Sequence, residues 1–315
     1  QKEIMESLQN IKRHLKGVQN IRQITKAMEL VAANKMRRSQ EIALASRAYG
    51  FAALDLLGTL SRLEVDLPAL LQKRPGAKRA IVVVTSDKGL AGAFNSAVLR
   101  EYENYISKNN IDPQDKSVSF IAVGQKAVNY LERRTHSLAA RFVRFGDYTS
   151  LEETDPLSQK LVDGFLNGEW DEVIMISTHF RTALRQEVLT RTLLPVNPAA
   201  VRETLQDVIP ETGRFADLRA RLSEQRVDTA VTYKIEPTVK AVMESLAPHL
   251  VRTEIYQVVL EANASEWAAR RFAMKSASDN AKELGEELTL QFNKSRQADI
   301  TRQIIEIAAG AEALS

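Results

Sequence analysis

A strand, a glycine-rich turn and a helix together make the arrangement in which phosphates and dinucleotides are commonly held. The helix N-terminus offers free N–H donors there, and glycine lets the backbone come close to the ligand. In this chain the arrangement falls at Thr85–Asn95, TSDKGLAGAFN, directly after the apolar run of residues 80–85, AIVVVT. Gly89 and Gly92 do not complete GxGxxG, and no GxxxxGK(S/T) occurs anywhere in the chain. Asp87 beside the turn repels phosphate, and Lys88 offsets it only in part. A tight turn that seats the next helix on the sheet is the better reading. The remaining reactive groups are scattered. His14, His136, His179 and His249 show neither HxxxH nor HExxH spacing, so no metal site is expected. There is no GxSxG elbow, and without cysteine there is no thiol nucleophile, disulfide or thiolate metal site. The acidic pairs Glu152/Glu153 and Glu286/Glu287 fall in segments that read as loop and exposed helix, where solvation is their expected role. No catalytic residue, cofactor or metal ligand is assigned.

With catalysis unsupported, the elements themselves carry the information. The 315 residues suffice for one large domain or two small ones, with ordinary apolar and charged fractions and few aromatics. No apolar run approaches the ~20 residues of a membrane span. The first residues, QKEIMESLQNIKRHL, lack the apolar core of a targeting peptide. Bases crowd the first fifty residues, where Lys2, Lys12, Arg13, Lys16, Arg22, Lys26, Lys35, Arg37, Arg38 and Arg47 face only Glu3, Glu6, Glu29 and Glu41. Such a helix reads either as a solvated face or as a docking surface for nucleic acid, an anionic membrane or an acidic protein.

The two ends of the chain are predicted to be long helices. Beyond Pro248 there is no proline, glycine occurs only at Gly285 and Gly310, and good helix formers dominate. One helix of that length spans on the order of 100 Å, against a diameter of about 50 Å for a compact chain of this size. At the other end, Ile4, Leu8, Ile11, Leu15, Val18, Ile21, Ile24, Met28, Val31 and Met36 recur at steps of three or four, close to a heptad seam. The simplest structure pairs the two ends as an antiparallel coiled coil. Small residues at Ala268, Ala269, Ala273, Ala277 and Ala281 permit close approach, with Arg270, Arg271 and Lys275 expected outside. Near the C-terminus, Ile300, Ile304, Ile305, Ile307, Ala308, Ala311 and Leu314 cover about half the helix circumference, wider than a two-stranded seam uses.

Between the helices the pattern changes to alternating strands and helices. Strands are expected at 80–85, 119–123, 142–145 and 172–177, with an edge strand at 186–194 and helices at 96–107, 125–133 and 157–166. The predicted fold class is α/β, a long antiparallel coiled coil of the terminal helices plus a Rossmann-like domain with a mixed, mainly parallel sheet. The predicted divisions are 1–60 and 237–315 for the coiled-coil helices, 78–196 for the α/β domain, and 197–236 for a peripheral loop and foot.

Four segments, in order and spread over essentially the whole chain, resemble the gamma-subunit family of F-type ATP synthase, the central rotor shaft. They are ITKAMELVAANKMRRSQ (Ile24–Gln40), TSDKGLAGAFN (Thr85–Asn95), EANASEWAARRFAMKSASDNA (Glu261–Ala281) and NKSRQADITRQIIEIAAGAEAL (Asn293–Leu314). Departures are Lys88 for the usual Arg, Ala91 where Cys is common and Gln303 where the signature carries Glu. The 197–228 segment is longer than in the family's short members, and without cysteine it lacks the redox pair of chloroplast relatives.

The resemblance implies that the coiled coil runs up a ring of three alpha and three beta subunits, with nucleotide chemistry in beta. The α/β domain would hold epsilon and the membrane c-ring. It carries ring contacts over to Lys26, Met28, Arg296, Gln297, Thr301, Ile304 and Ile307, and foot contacts to Tyr233 and Glu236. It implies no cofactor, no nucleic acid, and a membrane reached only through the c-ring, on the cytoplasmic face of a bacterial plasma membrane or its organellar equivalent. On that reading the basic helix faces acidic protein loops. The rivals are a nucleic-acid-binding coiled coil, with steep salt dependence, and a nucleotide-dependent enzyme, which needs the phosphate loop this sequence lacks.

Overall fold

A β-branched run without polar alternation buries both faces, and residues 80–84 do so at the centre of a five-stranded sheet. The computed structural model describes residues 2–60, 67–134, 138–198 and 235–312. The elements are α1 (Lys2–Leu60), β1 (Arg79–Val84), α2 (Phe94–Lys108), β2 (Val118–Val123), α3 (Gln125–Arg133), β3 (Leu138–Phe142), α4 (Leu151–Leu166), β4 (Glu172–Phe180), β5 (Gln186–Leu194) and α5 (Val239–Glu312). Strand order is β3-β2-β1-β4-β5, parallel except for β5, which returns antiparallel to β4. The α/β class with a mixed, mainly parallel sheet is therefore as expected.

Alternation along the strands assigns the two faces. Ile81, Val83, Phe120, Ala122 and Ile176 pack with Val98 and Tyr102 of α2 and Val128 and Leu131 of α3. Val82, Val84, Ile121, Val123, Val173 and Met175 pack on the other side with Leu157, Leu161 and Phe165 of α4 and Leu250, Val251, Ile255 and Val258 of α5.

The chain divides into two units. One contains residues 32–270, including the sheet. The other contains residues 1–31 and 271–315. In the second unit the helices pair antiparallel: a Cβ on Gly285 would sit 3.8 Å from Val18 Cγ1, and Gln19 and Arg22 share a cavity with Ala281, Lys282, Gly285 and Thr289. In the sheet-containing unit they also pair antiparallel, with Met36 against Ala264 and Ala268, Ala43 against Leu260, and Ser46 accepting a hydrogen bond from Gln257.

Several sequence expectations are corrected. The third strand is Leu138–Phe142, not 142–145. It is an edge strand with Ala139 and Arg141 exposed, a pattern without the apolar run that marks the inner strands. The chain turns away at Arg144, where φ is +65°. Helix α4 starts six residues before 157, because Ser150 caps the Glu153 N–H while the Glu153 carboxylate accepts from the Ser150 N–H. Glu152 and Glu153 thus lie in a helix's first turn and not in a loop, and Pro156 is tolerated inside the helix. Helix α5 runs through Pro248 from Val239, in line with the expected start near 237. Tyr233 and most of the 197–236 segment lie outside the described residues; Glu236 is described and exposed.

Candidate functional site

The glycine-rich turn turns its polar groups inward, onto the neighbouring helix. At the N-terminus of α3, the Gln125 N–H donates to Asp87 Oδ1 at 2.9 Å and the Lys126 N–H to the Ser86 carbonyl at 3.1 Å. The Ala127 N–H donates to Thr85 Oγ1 at 2.8 Å. These are three of the donors that a helix start leaves free. Asp87 Oδ2 also accepts the Arg144 N–H at 2.8 Å, so one carboxylate ties together the loops leaving β1, β2 and β3. Gly124 makes the approach possible. Its φ is +89°, and a Cβ there would lie 2.2 Å from the Thr85 carbonyl oxygen. An anion thus already stands at this helix N-terminus, and it is part of the chain. The adjoining cavity of about 80 Å³ is lined by Asp87, Asp147 and Glu266, with Lys88 the one basic residue among its walls. Burial raises the Glu266 carboxyl above its ordinary range, against the pull of the Arg270 guanidinium.

Arg270, expected outside, is 4% exposed. It is paired with Glu266 at 2.6 Å, stacked 4.4 Å from the Trp267 ring centroid and donating to the Gly89 carbonyl at 3.2 Å. Lys35 lies over the same ring at 4.5 Å and pairs with Asp147. Trp267 therefore sits among two cations, Arg270 from the next turn of its own helix and Lys35 from α1, and helical periodicity does not reveal the second because it comes from a distant part of the chain. Of the other two bases expected outside, Arg271 is half-buried and Lys275 is exposed.

In the unit formed by residues 1–31 and 271–315, the seam differs from the predicted stripe. On α5 the more buried positions are Met274, Ser278, Ala281, Gly285, Leu288, Phe292, Ser295 and Asp299, alternating steps of four and three. On α1 they run Leu8, Ile11, Leu15, Val18 and then Thr25 and Glu29. Ile21, Ile24 and Val31, placed in the seam by sequence, instead form an outward row, with Ile24 59% exposed. Polar residues can replace them inside because they are satisfied locally. The Thr25 hydroxyl donates to the Ile21 and Arg22 carbonyls, and Glu29 accepts from Lys26 at 2.8 Å.

The residues assigned to ring contacts all lie in this unit. They fall at two levels. Taking Val18 opposite Gly285 and ~1.5 Å per residue, Lys26 and Arg296 are about 28 Å apart along the helix pair. At the first level, Lys26 is exposed and Met28 half-buried, beside the outward row of α1. At the second, Arg296, Gln297 and Thr301 are exposed, and the Thr301 hydroxyl donates to the Gln297 carbonyl at 2.9 Å. Arg296, Ile300, Ile304 and Ile307 follow at helical steps on one side of α5, with Ile304 61% and Ile307 73% exposed. The outward row of α1 was missed by sequence reading. The signal was available, since residues 21, 24, 28 and 31 drift off the alternation that links 8, 11, 15, 18 and 25.

Comparison with known proteins places these features in context. A family model described as ATP synthase matches residues 7–314. The ATP synthase gamma chain of Roseiflexus castenholzii is 38% identical, with 99% of each chain covered. Those of Trichlorobacter lovleyi and Herpetosiphon aurantiacus are 35% and 36% identical, each over at least 98% of both chains. Among solved structures, a chain of the Euglena gracilis mitochondrial ATP synthase superposes with TM-score 0.62 at 16% identity, covering 98% of this chain and 95% of that one. One from the central stalk and c-ring of the Tetrahymena thermophila mitochondrial enzyme gives 0.56 at 21% identity, covering 81% and 99%. These two likenesses support the fold alone.

Proposed function

The chain belongs to the ATP synthase gamma-chain family, and from that premise we propose that it is the non-catalytic rotor shaft that couples ion-driven rotation to ATP synthesis and hydrolysis. Its partners are an alpha and beta ring around the paired helices, with epsilon and the c-ring at the foot, contacts that the family resemblance assigns to Tyr233 and Glu236. The protein works at the cytoplasmic face of a bacterial plasma membrane or the matching organellar face. None of its described helices is long and apolar enough to cross the bilayer; on this reading the contact with the membrane runs through the c-ring.

The observation that carries this reading is the outward display of the helix pair. Apolar rows at Ile21, Ile24 and Val31 and at Ile300, Ile304 and Ile307 stand outside the seam, flanked by Lys26 and Arg296. A solitary helix pair has no use for them. A surrounding ring does. Because the two rows belong to different helices at different levels, the shaft presents unlike faces around its circumference. Each of three equivalent beta neighbours then meets a different contact set and is biased toward a different state, which is coupling by differential affinity. The cations supply directional contacts to acidic loops at ~1.5–3 kcal/mol each. The apolar rows supply contacts that favour no single angle. Nucleotide chemistry resides in beta, in keeping with a glycine-rich turn already occupied by Asp87.

Co-expression with alpha and beta tests the proposal. A stable assembly whose ATP hydrolysis turns this chain is expected, with no ATP turnover by the purified chain alone. Failure to co-purify with the ring, or turnover by the partner-free protein, overturns it.

A further inference from the structure

The most demanding group of side chains outside these surfaces is buried where α5 crosses the β4–β5 hairpin. Glu254, Gln257 and Glu261 recur at i, i+3 and i+7 on α5 and are all buried. His179 of β4 places Nδ1 2.6 Å from Glu261 Oε2, and Arg191 of β5 places Nη2 3.2 Å from the same oxygen. The imidazole is fully buried and the guanidinium nearly so. Burial by itself would raise the Glu261 carboxyl, but the Arg191 charge and the His179 hydrogen bond outweigh it and hold the group below the usual carboxylate range. Glu261 is thus the ionised acceptor, and His179 donates to it from Nδ1. Gln257 donates to Ser46 of α1, which extends the polar contact to a third element.

We propose that His179, Arg191 and Glu261 form a lock that fixes the rotation and axial position of α5 on the β4–β5 hairpin. Around them the interface is apolar, with Leu250, Val251, Ile255 and Val258 against Val173, Met175 and Leu193. Such contacts are non-directional and specify the register of a helix less sharply than a hydrogen bond or ion pair does. The polar group cannot shift. A one-turn slip of ~5.4 Å replaces Glu261 opposite the two cations by Gln257 or Ser265, and a three-residue step replaces it by Val258 or Ala264. Either leaves a buried guanidinium without its carboxylate. Fixing register is the best-attested use of buried polar groups, whose net contribution to stability is small or negative. Resting on the rotor reading, the lock also makes the sheet and α5 turn as one body, so that torque entering the α/β domain reaches the helix.

The test uses the full chain, whose lack of cysteine allows clean labelling. Spin labels are placed at exposed Thr192→Cys on β5 and Ser245→Cys on α5. They are read in the parent and in the apolar triple variant His179→Leu, Arg191→Met, Glu261→Leu. The triple variant is expected to melt no lower than the parent, yet to show a broadened or doubled distance distribution, while the parent shows one narrow peak. A folded triple variant with the parent's narrow distribution overturns the lock. Should the triple variant not fold, Glu261→Gln takes its place: it keeps one acceptor, broadening is still expected, and an unchanged peak overturns the lock. In the assembled enzyme the triple variant is expected to bind alpha and beta normally but lose at least fivefold in rotation-driven ATP synthesis, and full synthesis refutes torque transfer. If the parent chain itself does not assemble, the rotor reading falls while the label distances still decide the lock.

Discussion

Glu254 gives the sharpest quantitative test of the structure. Its carboxyl is 2% exposed. Burial pushes it from 4.5 up to about 8, with Arg191 pulling it back and Glu261 pushing it further. The unfolded chain loses this proton near 4.5 and the native chain keeps it to about 8, so between those values the folded state binds one more proton. Stability from this group is therefore fully present below pH 4.5 and is lost progressively as pH rises toward 8. The slope is about 1.4 kcal/mol per pH unit, which gives an upper bound of roughly 3 kcal/mol lost between pH 4.5 and 7. Glu254→Gln keeps the shape and removes the proton. Urea denaturation of parent and variant from pH 4.5 to 8 should show the variant's stability less steep by up to ~1.4 kcal/mol per unit. The variant should gain on the parent as pH rises. Parallel pH profiles would refute the reasoning, because they require Glu254 to be ionised in the folded protein throughout.

Two further outcomes rest on other parts of the molecule. Arg296→Ala should leave the melting curve of the isolated chain unchanged, since the side chain is exposed. It should also weaken coupling between rotation and catalysis, by an amount equivalent to one charged hydrogen bond of ~1.5–3 kcal/mol; unchanged torque and hydrolysis in the reconstituted complex would count against it. Asp87→Ala removes the acceptor for both the Gln125 and Arg144 N–H groups. A loss of about 2–4 kcal/mol is expected in chemical denaturation, and a change below 1 kcal/mol would mean that the loops are held by other contacts.

Local pattern sufficed for much of this protein. Residues 125–133 and 186–194 take the element types and bounds that periodicity predicts, because a helix or strand that buries one face must repeat its apolar residues at its own period. The long terminal helices were equally legible, since helix propensity accumulates over many residues. Legibility failed where a local rule met a stronger neighbour. Pro156 reads as a helix boundary, but the Ser150–Glu153 capping box starts the helix ahead of it. The strand at 138–142 lies on a sheet edge and so lacks the apolar run that reveals the inner strands.

Composition and spacing thus determined that the chain has two long terminal helices with an α/β segment between them in sequence, with no recognisable nucleotide fingerprint, and that the C-terminal apolar face is wider than a seam. The partners of the polar groups were decided only by tertiary structure. Nothing in the sequence marks Arg270 for the Gly89 carbonyl, Asp87 for the start of α3, or His179 and Arg191 for Glu261. The outward row of α1, by contrast, was legible in the drift of residues 21, 24, 28 and 31 off the seam, whose places Thr25 and Glu29 take with partners within their own helix. The physical reason is common to all of these. Hydrophobic burial depends on amount and period, which a sequence displays, whereas a hydrogen bond or ion pair depends on where two distant atoms meet.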